Sequence, residues 1–164
     1  MNFDADFLTL IENLLEYRDG DLYWKQALSN RVKVGSKAGS IQTGGYIGIS
    51  VLGRKYGAHK LVYLLHHKTL PKFVDHIDGN RLNNRIENLR ACTRTENNQN
   101  TSIRSHNSSG IKNVTWHCQT GKWRVIVRQN GVPFSFGLYE DLEFAELVAS
   151  AAREKLHGQF ASHR

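Results

Sequence analysis

Two neighbouring residues, Asp75 and His76, form the part of the sequence best suited to hydrolytic chemistry. In an extended segment, adjacent side chains point to opposite faces. One of the two residues could therefore bind a metal ion while the other contacts an attacking water molecule. The imidazole of His76 has an unperturbed pKa near neutrality, which suits a general base. The Asp75 carboxylate is a hard oxygen ligand, and the amide oxygen of Asn97 can add a second. Such ligands, with water and phosphate, favour one Mg²⁺ or Mn²⁺ per site over zinc.

The block from 73 to 100 predicts the elements that would hold these groups. Its sequence predicts a short apolar strand, a polar turn, a second strand after Asn88 and a helix beginning near Thr95. The block reads FVDHIDGNRLNNRIENLRACTRTENNQN. This order predicts a ββα unit able to hold one ion, and Asn88 is expected to brace the loop and hold the ring of His76. The alternative is that asparagine simply forms turns. We apply that interpretation to Asn80, Asn83 and Asn84.

The same block resembles the HNH, or ββα-metal, nuclease motif in the form found in phage and intron-encoded homing endonucleases. That family has an Asp-His pair first, an asparagine in the middle and an asparagine on the helix. The segment DHIDGNRLNNRIENLR matches its sequence motif almost throughout. The resemblance implies that His76 is the general base and that Asp75 and Asn97 are metal ligands. It also implies that Asn88 fixes the loop. Asparagine rather than histidine on the helix favours weakly held magnesium over a tight zinc site.

Basic residues in and beside this block are candidates for phosphate contacts. They are Arg81, Arg85 and Arg94. Arg90 is a further candidate, for which an internal ion pair is the alternative. The apolar segment KLVYLLHHK predicts a helix that ends before Pro71, and its histidines and His59 are interpreted as packing or surface residues rather than ligands.

The N-terminal part predicts one helix and a small antiparallel sheet. Residues 1 to about 20 carry apolar residues at helical spacing, with Asp4 or Asp6 as a possible cap. The glycine-rich stretch that follows predicts short strands joined by turns at Gly44-Gly45 and Leu52-Gly53.

The C-terminal part predicts three strands, VTWH, KWRVIVRQ and VPFSFGLY, and a helix from Asp141 that ends at Gly158. Asn130-Gly131 is a strong hairpin signal between the last two strands. Over about 107–161 the sequence resembles the AP2 domain, a DNA-binding fold that reads the major groove with its sheet.

Strand alternation predicts an inner and an outer face for this sheet. Trp123, Val125 and Val127 should meet the helix, and Trp116 is also interpreted as a core residue. No Asp or Glu occurs from Asn97 through Tyr139, which is typical of a phosphate-facing surface. An ordinary solvated basic face is the alternative. The candidate DNA contacts of this part are Lys112, Thr115, His117, Lys122, Arg124, Arg128 and Ser135.

Bulk properties agree with a nucleic-acid partner. The chain has 164 residues, a formal net charge of +7 and a pI near 9.6, which favours encounter with polyanions. Two cysteines outside any CxxC pair, an acidic N-terminus and the lack of a long apolar run predict a cytoplasmic protein of a bacterial or phage-infected cell, without a membrane partner.

We therefore predict an α+β protein with an HNH nuclease domain at 1–104 and an AP2-like DNA-binding domain at 105–164. The polar stretch NTSIRSHNSSG marks the connection. The expected reaction is magnesium-assisted hydrolysis of double-stranded DNA. Each site should nick one strand, so a monomer would make a nick. A double-strand break would need a homodimer or a second cleavage event. Two alternatives stay open: a DNA-binding regulator with a decayed nuclease block, and an RNA-directed nuclease.

Overall fold

The computed structural model describes residues 3–100, 103 and 107–162, with side chains from residue 5 onward. The chain divides between Thr93 and Arg94 into two compact units. The predicted domain boundary between 104 and 105 lies outside the described residues. Each unit has a hydrophobic core of its own, so each is described separately.

The first unit is built from short antiparallel strands and two packed helices. Its elements are α1 Phe3–Leu14, β1 Leu15–Arg18, β2 Asp21–Trp24, β3 Ser40–Ile41, β4 Ile47–Val51, β5 Arg54–Gly57, α2 Ala58–His67, β6 Phe73–His76 and β7 Leu89–Cys92. β1 pairs with β2, β3–β4–β5 form one sheet, and β6 pairs with β7. A 3-10 turn over Ile86–Asn88 precedes β7.

The core of this unit fixes the small sheet against the helices. Ile11 of α1, Ile49 of β4 and Leu61 of α2 are all fully buried. The predicted turns are confirmed, since Gly44 and Gly45 both have a positive φ and separate β3 from β4. The helix predicted before Pro71 is α2, which ends at a left-handed Lys68.

The helix predicted for residues 1 to about 20 is wrong in its second half. The helix ends at Leu14, and β1 then runs antiparallel to β2 around a turn at Asp19 and Gly20, whose φ angles are 48° and 93°. Asp-Gly is a hairpin turn pair, and the strand pairing it permits overrides the helical spacing. Asp6 lies inside α1 and so is not its cap, and the side chain of Asp4 lies outside the described residues.

The second unit is a three-stranded antiparallel sheet with a long helix. Its elements are α3 Arg94–Gln99, β8 Val114–His117, β9 Lys122–Gln129, β10 Val132–Tyr139, α4 Leu142–His157 and a 3-10 turn at Gly158–Phe160. The strand order is β10-β9-β8, and the predicted hairpin at Asn130-Gly131 is confirmed, with φ of 51° and 84°. The Asp141 side chain caps α4 by accepting a hydrogen bond from the Phe144 amide at 2.6 Å.

The helix packs on the sheet through small residues. Ala145 and Ala149 are fully buried against Val114 and Val125, as the alternation of the sequence predicts. The core assignment of Trp116 is wrong. Its side chain is 44% exposed, because it lies at the hairpin end of β8, where it meets the edge of Trp123 at 4.8 Å between ring centroids.

No helix in the described parts of the chain is both long and apolar enough to cross a lipid bilayer.

Candidate active site and nucleic-acid interface

Asp75 forms a buried ion pair with the residue directly opposite it in the β6–β7 ladder, Arg90. The Nε and Nη2 atoms of Arg90 donate to the same carboxylate oxygen, Oδ2, at 3.0 and 2.8 Å. The two side chains are only 7% and 16% exposed. Both of these bonds use Oδ2. Arg90 is therefore an internal partner of Asp75, which is one of the two roles that the sequence left open.

His76 ends β6 and lies in a buried polar environment. Its Nε2 atom is 2.9 Å from Oδ1 of Asn84, and the two residues are 4% and 2% exposed. Because β6 is extended, the side chains of Asp75 and His76 leave it on opposite faces. The interpretation of Asn84 as a simple turn former is wrong, because its side chain is buried against the imidazole instead of closing a turn.

Asn88 ties together the loop between β6 and β7. Its Oδ1 accepts a hydrogen bond from the Asp78 amide at 2.9 Å, and its Nδ2 donates to Asp78 Oδ1 at 2.9 Å and to the Asn83 carbonyl at 2.8 Å. Burial raises the pKa of Asp78, but hydrogen bonds from Asn83, Asn88 and the Asn80 amide outweigh it, and the pKa is lowered. The loop is thus braced through Asp78, whereas the ring of His76 is contacted by Asn84.

The N-terminal hairpin also supports this loop. The hydroxyl oxygen of Tyr17 in β1 accepts a hydrogen bond from the Ile86 amide at 3.2 Å. Gly20 lies so close to the loop that a Cβ there would be 3.1 Å from the Arg85 amide nitrogen. The positive φ and this close approach together require glycine at the turn.

Tyr46 and His59 surround the ring of His76. The centroids of the His59 and Tyr46 rings lie 5.2 and 6.0 Å from that of His76. Burial, the nearby His76 and Lys60 lower the pKa of His59 to about 4, so its ring is neutral at physiological pH. A Cβ at Gly57 would lie 2.5 Å from the His59 ring, so glycine gives this ring its space.

Arg81 lies at the exposed edge of the same group. Its guanidinium stands 4.9 Å from the centre of the Tyr46 ring, and its Nη1 donates to the Gly44 carbonyl at 2.6 Å. Among the other predicted phosphate contacts, Arg85 is exposed beside the 3-10 turn and Arg94 is exposed at the start of α3. The sequence did not single out Tyr46, and it interpreted His59 as a packing or surface residue, which agrees with the packing of its ring beside His76. Only the folding of the glycine-rich sheet brings the two residues to His76.

The donor chemistry at Asp75 fits a weakly held divalent ion. Arg90 anchors the Asp75 carboxylate through Oδ2, whereas Asn97 belongs to α3 of the second unit and is half-buried there. A carboxylate oxygen is a ligand that suits Mg²⁺. In the described residues no group of three or more His, Cys, Asp and Glu side chains could hold a metal ion. The two predicted ligands, Asp75 and Asn97, include only one residue of these four types. An ion site built on them would therefore not form such a group.

The strand register of the second unit places most of the predicted DNA contacts on one sheet face. Residues directly opposite in register share a face. The pairs on this face include Thr115 with Arg124, His117 with Lys122, and Ser135 with Ile126. Arg128, two residues after Ile126 on β9, lies on the same face by alternation.

The basic side chains of this unit differ in how firmly they are held. Lys122 meets Glu140 at 3.0 Å in an exposed ion pair, and Arg128 donates to the Gly131 carbonyl at 3.3 Å. His117 Nδ1 is 2.9 Å from the Thr120 hydroxyl. Lys112 lies outside the strands, half-buried, and its Nζ donates to the Gln99 carbonyl at 2.8 Å. The strand residues thus form the more accessible part of the predicted surface.

Comparison with known proteins identifies a nuclease family match that runs from the first unit into α3 of the second. A family model described as HNH endonuclease matches residues 56–99, a range that contains Asp75, His76, Asn88 and Asn97. Protein 3.8 of Escherichia phage T7 is 38% identical over 97 residues, which cover 58% of this chain and 79% of that protein. No solved structure matches the chain.

A second relative carries the family in its name. An uncharacterized HNH endonuclease of Acanthamoeba polyphaga mimivirus is 31% identical over 111 residues, which are 66% of this chain and 57% of that protein. A mixed α and β unit that carries Asp75 and His76 on one strand of a two-stranded hairpin is compatible with an HNH nuclease core. The chain belongs to the HNH endonuclease family, whose nucleases generally use a divalent metal.

Proposed function

We propose that this protein is a metal-dependent DNA endonuclease that hydrolyses phosphodiester bonds and nicks one strand per active site. The main support is the end of β6, where a buried carboxylate anchored through one oxygen adjoins a buried imidazole held by an amide. These two residues lie inside the range matched by the HNH endonuclease family.

His76 is the general base in this proposal. Its imidazole takes a proton from a water molecule, and the water oxygen forms a bond to phosphorus. The bond from phosphorus to the 3′ oxygen then breaks, and the 3′ oxygen takes a proton from solvent. The products are a 5′-phosphate and a 3′-hydroxyl. Asn88 holds the loop around Asp78 in place while this happens.

Asp75 and Asn97 are the proposed ligands of one Mg²⁺ or Mn²⁺ ion. When bound, the ion supplies positive charge for the phosphate and the departing oxygen. Arg90 orients the Asp75 carboxylate through Oδ2. Arg81, held over Tyr46, is the proposed contact to a phosphate beside the scissile bond, with Arg85 and Arg94 as further phosphate contacts.

We also propose that residues 105–164 form an AP2-like module that binds double-stranded DNA, with the nuclease domain at 1–104. The support is a three-stranded antiparallel sheet packed on α4, with a basic face on β8 and β9. The proposed contacts are Lys112, Thr115, His117, Lys122, Arg124, Arg128 and Ser135. Arginine on a sheet can reach guanine edges in the major groove. The phage relative supports action in the cytoplasm of a bacterial or phage-infected cell.

Cleavage of matched substrates tests this proposal. The purified chain is incubated with end-labelled duplex DNA and duplex RNA of the same sequence, with Mg²⁺, with Mn²⁺ or with chelator, and the product ends are mapped. We expect metal-dependent DNA cuts with 5′-phosphate ends. Faster cutting of the RNA would assign the site to an RNA nuclease. Tight DNA binding without cutting under any metal would identify a regulator with a decayed nuclease site.

A further inference from the structure

Asn84 contacts the imidazole of His76 through an atom that can only accept. Its carboxamide oxygen, Oδ1, lies 2.9 Å from Nε2 of the ring. A carboxamide oxygen has no hydrogen to give, so Nε2 must carry the hydrogen of this bond. In a neutral imidazole the proton-accepting lone pair is then on Nδ1.

We propose that Asn84 is the positioning residue of the general base, and that it holds His76 in the tautomer protonated on Nε2, so that Nδ1 takes the proton from water. This inference rests on the proposed role of His76. It assigns to Asn84 the control of the ring that the sequence assigned to Asn88.

The surroundings of Asn84 show why its contact is specific. Asn88, the other candidate for this task, directs its side chain to Asp78 and to the Asn83 carbonyl. The rings of His59 and Tyr46 limit the space around His76, but packing against a ring does not choose which nitrogen holds the hydrogen. A hydrogen bond from Nε2 to an acceptor oxygen fixes the hydrogen on that nitrogen.

The burial of Asn84 also indicates a dedicated role. The residue is 2% exposed, and its Nδ2 atom is buried without a hydrogen-bond partner among the described residues. Burial shields the contact between Oδ1 of Asn84 and Nε2 of His76 from competing water, so the amide can hold the ring in one orientation. The amide is also neutral, so it orients the ring without adding a charge beside it.

The test measures the tautomer directly in the full-length chain. Long-range ¹H–¹⁵N spectra of metal-free protein with ¹⁵N-labelled histidine show which ring nitrogen of His76 carries the hydrogen, at a pH where the ring is neutral. We expect Nε2–H in the wild type and a mixture of tautomers in Asn84→Ala. Asn84→Asp keeps an acceptor oxygen in the same place and is expected to restore Nε2–H. Asn80→Ala, in the same loop, is the matched control and should leave the spectrum unchanged.

Cleavage kinetics supply the second readout. Asn84→Ala should lower kcat by about 10- to 100-fold, a part of what general-base catalysis contributes, and leave KM for DNA unchanged. An Nδ1–H tautomer in the wild type overturns the inference, even if Asn84→Ala does not fold. An unchanged tautomer and kcat in folded Asn84→Ala also overturns it. Both results leave the nuclease proposal standing, whereas an inactive wild-type protein with Nε2–H overturns the proposed function instead.

Discussion

The β6–β7 hairpin of the first unit and the outer sheet face of the second unit use polar residues in opposite ways. In the hairpin, the carboxylate of Asp75 and the imidazole of His76 are buried and each has a defined partner. On the sheet, Lys122 is paired with an exposed glutamate, and Arg128 is exposed. Hydrolysis requires fixed atoms, whereas attraction to a phosphate backbone requires accessible positive charge. The difference therefore matches the two tasks that we propose.

Replacement of the general base should separate the two regions most strongly. His76→Ala is expected to reduce the single-turnover rate of DNA cleavage by about a thousandfold, within the range for general-base catalysis. DNA affinity, measured by fluorescence anisotropy with a labelled duplex, should stay nearly unchanged because the sheet face is intact. A His76→Ala protein with full cleavage activity would refute the assignment of the base.

Loss of a buried ion-pair partner should affect stability far more than loss of an exposed one. Arg90→Ala removes the guanidinium that donates two hydrogen bonds to the buried Asp75 carboxylate, which is expected to cost about 3–5 kcal/mol in the free energy of unfolding. Lys122→Ala, which removes the exposed pair with Glu140, should cost about 0–1 kcal/mol. Urea unfolding of the two variants measures both values, and equal effects would contradict the difference in burial between the two pairs.

The half-buried His59 should make the first unit sensitive to acid. In the folded chain its pKa is lowered to about 4, whereas an unfolded chain protonates histidine below about 6.5. Between these values the unfolded state binds the extra proton, so stability falls as the pH drops from 6.5 towards 4, by up to about 3 kcal/mol. Thermal unfolding of His59→Gln over this range should show a smaller pH dependence than the wild type. An identical dependence would place the acid sensitivity elsewhere.

Removal of two arginines from the sheet should weaken binding without impairing the chemistry. Arg124→Ala combined with Arg128→Ala is expected to lower DNA affinity about tenfold and to reduce the slope of log K against log salt by about 2. Cleavage at saturating protein should remain. Arg31→Ala combined with Lys33→Ala removes the same charge from an exposed loop of the first unit. If this control pair loses affinity and the sheet pair does not, recognition belongs to the first unit.

Local sequence signals predicted much of the fold. The hairpin at Asn130-Gly131, the cap at Asp141 and the strand–loop–strand–helix order of the nuclease block all depend on residues close in the chain. Their chemistry acts over a few bonds, so the sequence reports it directly. The β1–β2 hairpin was missed because Leu14 and Leu15 continue a helical spacing into a segment that pairs as a strand.

The surroundings of His76 were not predictable in the same way. Asn84 is one of several asparagines in a polar loop, and only folding shows which of them turns inward. Tyr46 and His59 reach the ring from β3–β4 and α2, elements that the sequence predicted without showing how they pack. The residues of the motif could thus be named from the sequence, but the contacts that orient them depend on tertiary structure.

Conversion of supercoiled plasmid by the wild-type chain is the sharpest test of the proposed nuclease site. We expect Mg²⁺ to convert the plasmid to the nicked circle, chelator to stop the reaction, and linear DNA to appear only later. Plasmid that stays supercoiled with Mg²⁺ and with Mn²⁺, while the protein still binds it, would contradict the claim that Asp75, His76 and Asn97 form a working nuclease site.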